Sequence, residues 1–163
     1  MSDTKDQIAT LASMIKEIRT AMLTTVEADG SLRSRPMETQ EREFDGTLWF
    51  FTADDSPKIE EIEKEHQVNL TYAEPGSQKY VSISGRATLV RDRKMMEELW
   101  TPFVKAWFPE GLDDPRLALL KVTADNAEYW SAPPSAVVRM VGLAKALITG
   151  EQYDAGENEK IEL

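Results

Sequence analysis

Ile8, Leu11, Ala12, Ile15 and Ile18 recur every three to four residues, the spacing that lines one face of a helix, and predict a helix over residues 4–19. Asp3 or Thr4 is the candidate cap. The period then drops to two. "AMLTTV" (21–26) reads as a strand, "EADG" (27–30) as a turn and "SLRSRPMET" (31–39) as the returning strand. "FDG" (44–46) turns the chain again into "TLWFFT" (47–52), whose bulky and β-branched residues favour a sheet. A short charged helix is predicted at 57–65, and "VNLTYA" (68–73) alternates once more.

The longest alternation is "KYVSISGRATLV" (79–90). Val81, Ile83, Gly85, Ala87 and Leu89 fall on one face, with Tyr80, Ser82, Ser84, Arg86 and Thr88 on the other. A helical stretch follows from Arg93 to about residue 108, interrupted near Thr101 and Pro102. "LALLKVTA" (117–124) and "AEYWSA" (127–132) form the last strand region, stopped by Pro133 and Pro134, which cannot donate to a ladder. Val137, Met140, Val141, Ala144, Leu147 and Ile148 return to helical spacing. From Glu151 the chain is acidic, with few apolar residues, and reads as a flexible or lightly docked end. Consecutive short strands bracketed by helices predict an α+β domain built on an antiparallel barrel or strongly curled sheet. The barrel domain and its terminal helices take residues 1–150, and an acidic tail takes 151–163.

Composition narrows the chemistry. The 163 residues carry a formal net charge of −10, which argues against a nucleic-acid backbone as partner, since phosphate backbones need a basic stripe. No apolar run is long enough for a bilayer, and the N-terminus lacks the basic region and apolar core of a secretory signal, so no membrane role and a cytoplasmic location are expected. There is no cysteine, hence no disulfide, thiolate nucleophile or zinc-thiolate site. The one histidine, His66, sits where a helix should end. No metal centre is expected.

Three places remain as candidates for chemistry. In "FFTADDSPKIEEI" (50–62), Ser56 suits an N-cap, Pro57 the first helical position, and Glu60 and Glu61 the positive end of the helix dipole. Helix initiation alone explains those residues. Lys58 adds something, because a hydroxyl and an ammonium beside unpaired helix N–H groups make an anion cradle. Asp54 and Asp55 oppose it unless they point away. In "LRSRPMETQ" (32–40), alternation groups Arg33, Arg35 and Met37 on one face. Such arginines are usually solvated, but Pro36 confines the strand to an edge, and an arginine fork suits phosphate oxygens. Trp130 ends a strand in "EYWSAPP" and suits either ordinary packing or covering a planar ligand at the barrel rim.

The ordered set of a short helix, a "TT…DG" hairpin, "SRPM", "LWFFT…SPK", "VSISGRA", "EYW" and the closing "VGLAKALITGEQYDAGENEKIEL" resembles the FMN-binding split-barrel superfamily of pyridoxamine 5′-phosphate oxidase, most closely its general-stress-protein branch. The likeness runs over about residues 5–163. It implies a six-stranded antiparallel split β-barrel with flanking helices, and a homodimer with flavin at the subunit interface. The cofactor would be FMN or FAD. By the same resemblance Arg35 reaches the phosphate, with Thr52, Ser56 and Lys58 in the phosphate-binding joint. Backbone at Pro36, Met37 and Glu38 edges the isoalloxazine, and Trp130 packs on the flavin from the partner subunit.

Two departures matter. Family members often carry a second basic residue just before the lysine, where this chain has Pro57. The segment after Trp130, "SAPPSAVV", lacks the Arg and His with which true oxidases grip pyridoxal phosphate, so that reaction is not expected. A flavoprotein of the general stress type, an FMN-dependent oxidoreductase or a flavin-handling protein, is the implied function. A non-catalytic flavin carrier, buffer or sensor fits the same residues, as does a split barrel holding another cofactor such as a deazaflavin. Haem is disfavoured by the scarcity of ligands.

Overall fold

A computed structural model describes residues 4–132, 135–153 and 156–163. The expected proline stop at 133–134 and the candidate cap Asp3 lie outside the described residues. Helix α1 (Thr4–Ile18) leads into strands β1 (Thr20–Val26), β2 (Leu32–Glu38) and β3 (Thr47–Ala53), helix α2 (Pro57–Lys64), then β4 (Gln67–Glu74) and β5 (Lys79–Val90). Helix α3 (Arg93–Leu99) and two single 3₁₀ turns precede β6 (Leu117–Ser131), helix α4 (Ala136–Thr149) and β7 (Glu157–Glu162).

All pairings are antiparallel, in the order β2-β1-β4-β5-β6-β3, the six-stranded curled sheet of a split barrel. Curling brings the end strands β2 and β3 towards each other without pairing them along their length. At one end Gln40 N–H donates to the Trp49 carbonyl at 2.9 Å, closing the sheet there, and beyond it β2 and β3 diverge into a split. Thr39, just past β2, shares a buried 2.6 Å hydrogen bond with the Tyr72 hydroxyl, so the exit of the edge strand is fixed to the core.

The alternation read from sequence is the barrel's own. Leu23, Leu70, Val81, Ile83, Phe50, Leu120 and Val122 fill the interior, joined by Leu11, Met14 and Ile15 of α1. A second cluster lies outside the barrel, where α3 and the 3₁₀ region cover Trp49, Leu117 and Leu119. Residues 117–120 are therefore buried on both faces, which is why this strand opens as an unbroken apolar run. The helix expected from Arg93 to about 108 ends at Leu99. Pro102 lacks a backbone donor and disfavours helical backbone before it.

One expectation is corrected. The acidic end is not a loose tail, because residues 157–162 form β7 along the upper half of β6, from Asn126↔Glu162 to Ser131↔Glu157. Ile161 is 2% exposed and seats this strand in the main core. Burying one such side chain contributes about 1.5–3 kcal/mol, enough to hold a short charged strand. Gly156, at φ +122°, permits the approach, since a Cβ there would meet the Ser131 carbonyl oxygen at 2.0 Å.

Candidate functional site

The split between β2 and β3 opens into a cleft of about 400 Å³, lined by Thr20, Pro36, Met37, Glu38, Gln40, Phe51, Thr52, Ala53, Lys58 and, from the 3₁₀ region, Thr101, Phe103, Val104, Trp107 and Phe108. Five of the residues singled out from sequence line it: Pro36, Met37, Glu38, Thr52 and Lys58. Each arrives for a local reason. Pro36 is tolerated because β2 is the end strand of the sheet. Thr52 is the last inward residue of β3, buried opposite Ala118. Lys58 stands in the first turn of α2, one residue after Pro57 at the helix start.

At that helix start Ser56 occupies the N-cap position, yet its hydroxyl makes no capping bond. Ser56 Oγ instead accepts from the Lys58 ammonium at 2.9 Å. The first backbone N–H groups of α2 thus receive no side-chain cap, and the positive end of the helix faces the same ammonium. Lys58 is half-buried, and among the described residues no carboxylate lies within ion-pair distance of it. Burial, and after it the charge of Arg35, pull its pKa below the ordinary lysine value, with Glu61 pulling the other way. Asp54, a possible rival for an anion, is engaged by Arg91 at 2.7 Å.

Arg35 lies behind the cleft rather than on its wall. Antiparallel register puts Arg35 opposite Leu23 and Arg33 opposite Thr25, so the arginine face of β2 is the inward face of the barrel. Arg33 remains 54% exposed at the rim, while Arg35 is only 16% exposed. Its guanidinium donates to the Thr25 hydroxyl and, at 2.9 Å, to Glu61 Oε2. Thr25, itself fully buried, donates to the same Glu61 oxygen at 2.6 Å. Burial pushes the Glu61 carboxyl up, but the hydrogen bonds from Thr25 and Arg35 and the two arginine charges outweigh it and hold it below the usual carboxylate range.

Trp130 is not brought to this cleft within one chain. It pairs across β5 and β7 with Tyr80 and Asn158 and lines a separate concavity of about 890 Å³ with Arg139, Met140 and Tyr153. Sequence reading missed Phe103 and Trp107, which flank the cleft 80% and 79% exposed. Their signal was present as two large aromatics four residues apart, the spacing of one helix face, in a stretch expected to be helical where the structure has a single 3₁₀ turn. Thr25 and Glu61 were also missed. His66 follows α2, is exposed, and accepts from the Ala87 N–H through its backbone oxygen. Among the described residues no cluster fit to hold a metal occurs, and no helix is long and apolar enough to cross a membrane.

The cleft joins an apolar wall to a half-buried ammonium from the first turn of α2, a combination suited to a ligand with an apolar body and an anionic group.

Residues 6–154 match the family model described as pyridoxamine 5′-phosphate oxidase like. The chain is 28% identical over 155 residues to protein bli-3 of Neurospora crassa, covering 89% of this chain and 74% of that one. A candidate general stress protein 26 from Jannaschia sp. CCS1 superposes with a TM-score of 0.77 at 25% identity, covering 98% and 99% of the two chains. The general stress FMN/FAD binding protein of Xanthomonas citri superposes with a TM-score of 0.70 at 34% identity, covering 80% and 92%.

A carboxylate whose pKa falls on folding adds stability that is complete above its unfolded value, about 4.3, and fades as pH drops through the folded value. Glu61 is such a group. Glu61→Gln is expected to be less stable than the parent at neutral pH and to lose less stability on acidification. Urea midpoints followed from about pH 7 down to about pH 3, through the window below the unfolded value, check this, and parallel pH profiles would refute it.

Proposed function

The chain belongs to the pyridoxamine 5′-phosphate oxidase-like family, and on that premise we propose that it binds FMN or FAD in the cleft between β2 and β3, with the phosphate on the α2 cradle. The observation that carries this reading is Lys58, a half-buried ammonium beside Arg35 that makes no ion pair among the described residues. The Xanthomonas citri relative, an FMN/FAD binding protein, supports the choice of flavin over another planar phosphate.

In this reading Lys58 and Arg35 neutralise the phosphate, and Ser56 and Thr52 donate hydrogen bonds to its oxygens. Backbone at Pro36, Met37 and Glu38 edges the ring, and the apolar wall of Phe51 and Phe108 excludes water from it. A bound flavin supplies hydride or electron transfer. The titratable groups lining the cleft are Glu38 and Lys58, so the chain's own part is to bind and orient. Lys58→Ala is expected to weaken FMN about 10-fold or more while leaving riboflavin, which lacks the phosphate, nearly unchanged. Fluorescence titration of both ligands checks it, and equal losses would sink the phosphate assignment.

A flavin-dependent oxidoreductase and a carrier or buffer without turnover share this cleft. A redox role predicts that NADH or NADPH bleaches the bound flavin in anaerobic stopped-flow mixing. Flavin that stays oxidised under excess of both donors favours the carrier.

The protein in this reading is a homodimer, with Trp130 serving the partner's flavin. Helix α4 supports it, for Val137, Val138, Met140, Val141, Leu143, Leu147 and Ile148 are 50–85% exposed, an apolar surface a lone chain would leave in water. Light scattering is expected to give twice the 18.4 kDa chain mass, and Val141→Glu with Leu147→Glu to shift it towards the monomer.

A further inference from the structure

Two cations serve the proposed cradle, Lys58 on the cleft wall and Arg35 behind it, but Arg35 is already matched inside the fold. Arg35 is 16% exposed and gives hydrogen bonds to Thr25 and to Glu61, which is itself 12% exposed. Arg33 touches the other Glu61 oxygen at 3.9 Å from the rim, where water screens it. Glu61 also lies close enough to Lys58 to act on its charge. The groups facing Glu61 are thus Thr25 from β1, Arg33 and Arg35 from β2, and Lys58 and Glu60 from its own helix. Among the least exposed of these, Arg35, Lys58 and Glu61, the charges sum to one positive unit. A phosphate monoester carries about −1.5 to −2 at neutral pH, so this cradle undercompensates its ligand.

We infer that Glu61 is an electrostatic brake on the flavin site, an internal carboxylate that competes with the ligand phosphate for Arg35 and holds affinity for the phosphorylated flavin below what the cradle's cations would give. This rests on the proposed phosphate cradle and concerns how its affinity is set. Two features of the fold make the brake specific. The Glu61 carboxylate is held by Thr25 as well as by Arg35, so its position does not depend on the arginine alone. Its surroundings are largely shielded from water, where a unit charge acts far more strongly than at the surface. Glu60, the adjacent carboxylate, is exposed and tied to Lys64 at 2.7 Å, and has no such reach. The consequence is a preference for FMN over riboflavin smaller than the cations by themselves would give.

Glu61→Gln keeps an acceptor for Thr25 and Arg35 and removes only the charge. It is expected to tighten FMN about 10-fold, with riboflavin changed less than about 2-fold. Glu60→Gln removes the same charge one residue away and is expected to leave both ligands within about 2-fold. Should Glu61→Gln fold poorly, Glu61→Asp draws the carboxylate back by one methylene and is expected to tighten FMN in the same direction by at least about 2-fold. Titrations of the 163-residue chain with FMN and riboflavin read all three variants. No gain for FMN, a gain shared by riboflavin, or an equal gain from Glu60→Gln each overturns the brake. Failure of the underlying reading looks different: the unaltered protein would then bind FMN no better than riboflavin, and Lys58→Ala would not separate them.

Discussion

The pairing of β5 with β6 is the constraint on which the rest of the molecule rests. Twelve residues of β5 run against β6 from Lys79↔Ser131 to Val90↔Leu119, with one register shift between Ser84 and Gly85. That shift requires glycine, because a Cβ at Gly85 would meet the Thr123 carbonyl oxygen at 2.3 Å. A bulge increases local twist, and here it falls where the opposite edge of β6 changes partner from β3 to β7. The lower half of β6 therefore carries β3 to one side of the split, and the upper half carries the C-terminal strand away from it. The cleft exists because the two end strands β2 and β3 converge without pairing along their length.

Charge at the cleft follows from that geometry. An end strand whose inward face meets the barrel mouth can carry arginines inward, since water reaches the rim and the strand's own edge is free. Arg35 uses this position, and buried Thr25 and the largely shielded Glu61 accept its hydrogen bonds. Lys58 is left without a carboxylate partner among the described residues, at a helix start whose cap hydroxyl is turned towards it. The same few residues thus stabilise α2 against β1 and β2 and set the charge that an anion would meet. A site of this kind is tuned by its supporting shell as much as by the groups on its wall.

Much of the fold was legible in the chain. The alternation of Val81, Ile83, Gly85, Ala87 and Leu89 marks a strand with one buried face, and the structure gives those same bounds, 79–90. The cleft was legible in part: Pro36, Met37, Glu38, Thr52 and Lys58 come together on its wall. What escaped was long-range. Thr25 and Glu61 are ordinary residues in a strand and a charged helix until α2 docks on β1. Phe103 and Trp107 share helical spacing and read as one helix face, but the backbone there forms a 3₁₀ turn that leaves both exposed beside the cleft. The C-terminal strand was hidden by its composition, because one buried Ile161 among acidic residues does not look like a core position.

Local patterning, turn chemistry and the order of short motifs determined by themselves the six strands of the barrel, the barrel class and the start of α2 that sets Ser56 beside Lys58, since these depend on neighbours in sequence and on backbone preference. Tertiary structure alone decided which arginine is buried, that Glu61 meets it, that the acidic end becomes β7, and that Trp130 stands apart from the cleft within one chain. Those outcomes depend on which surfaces the curl of the sheet brings within a few ångströms, and charge interactions are decided at that distance by burial, which no single stretch of sequence encodes.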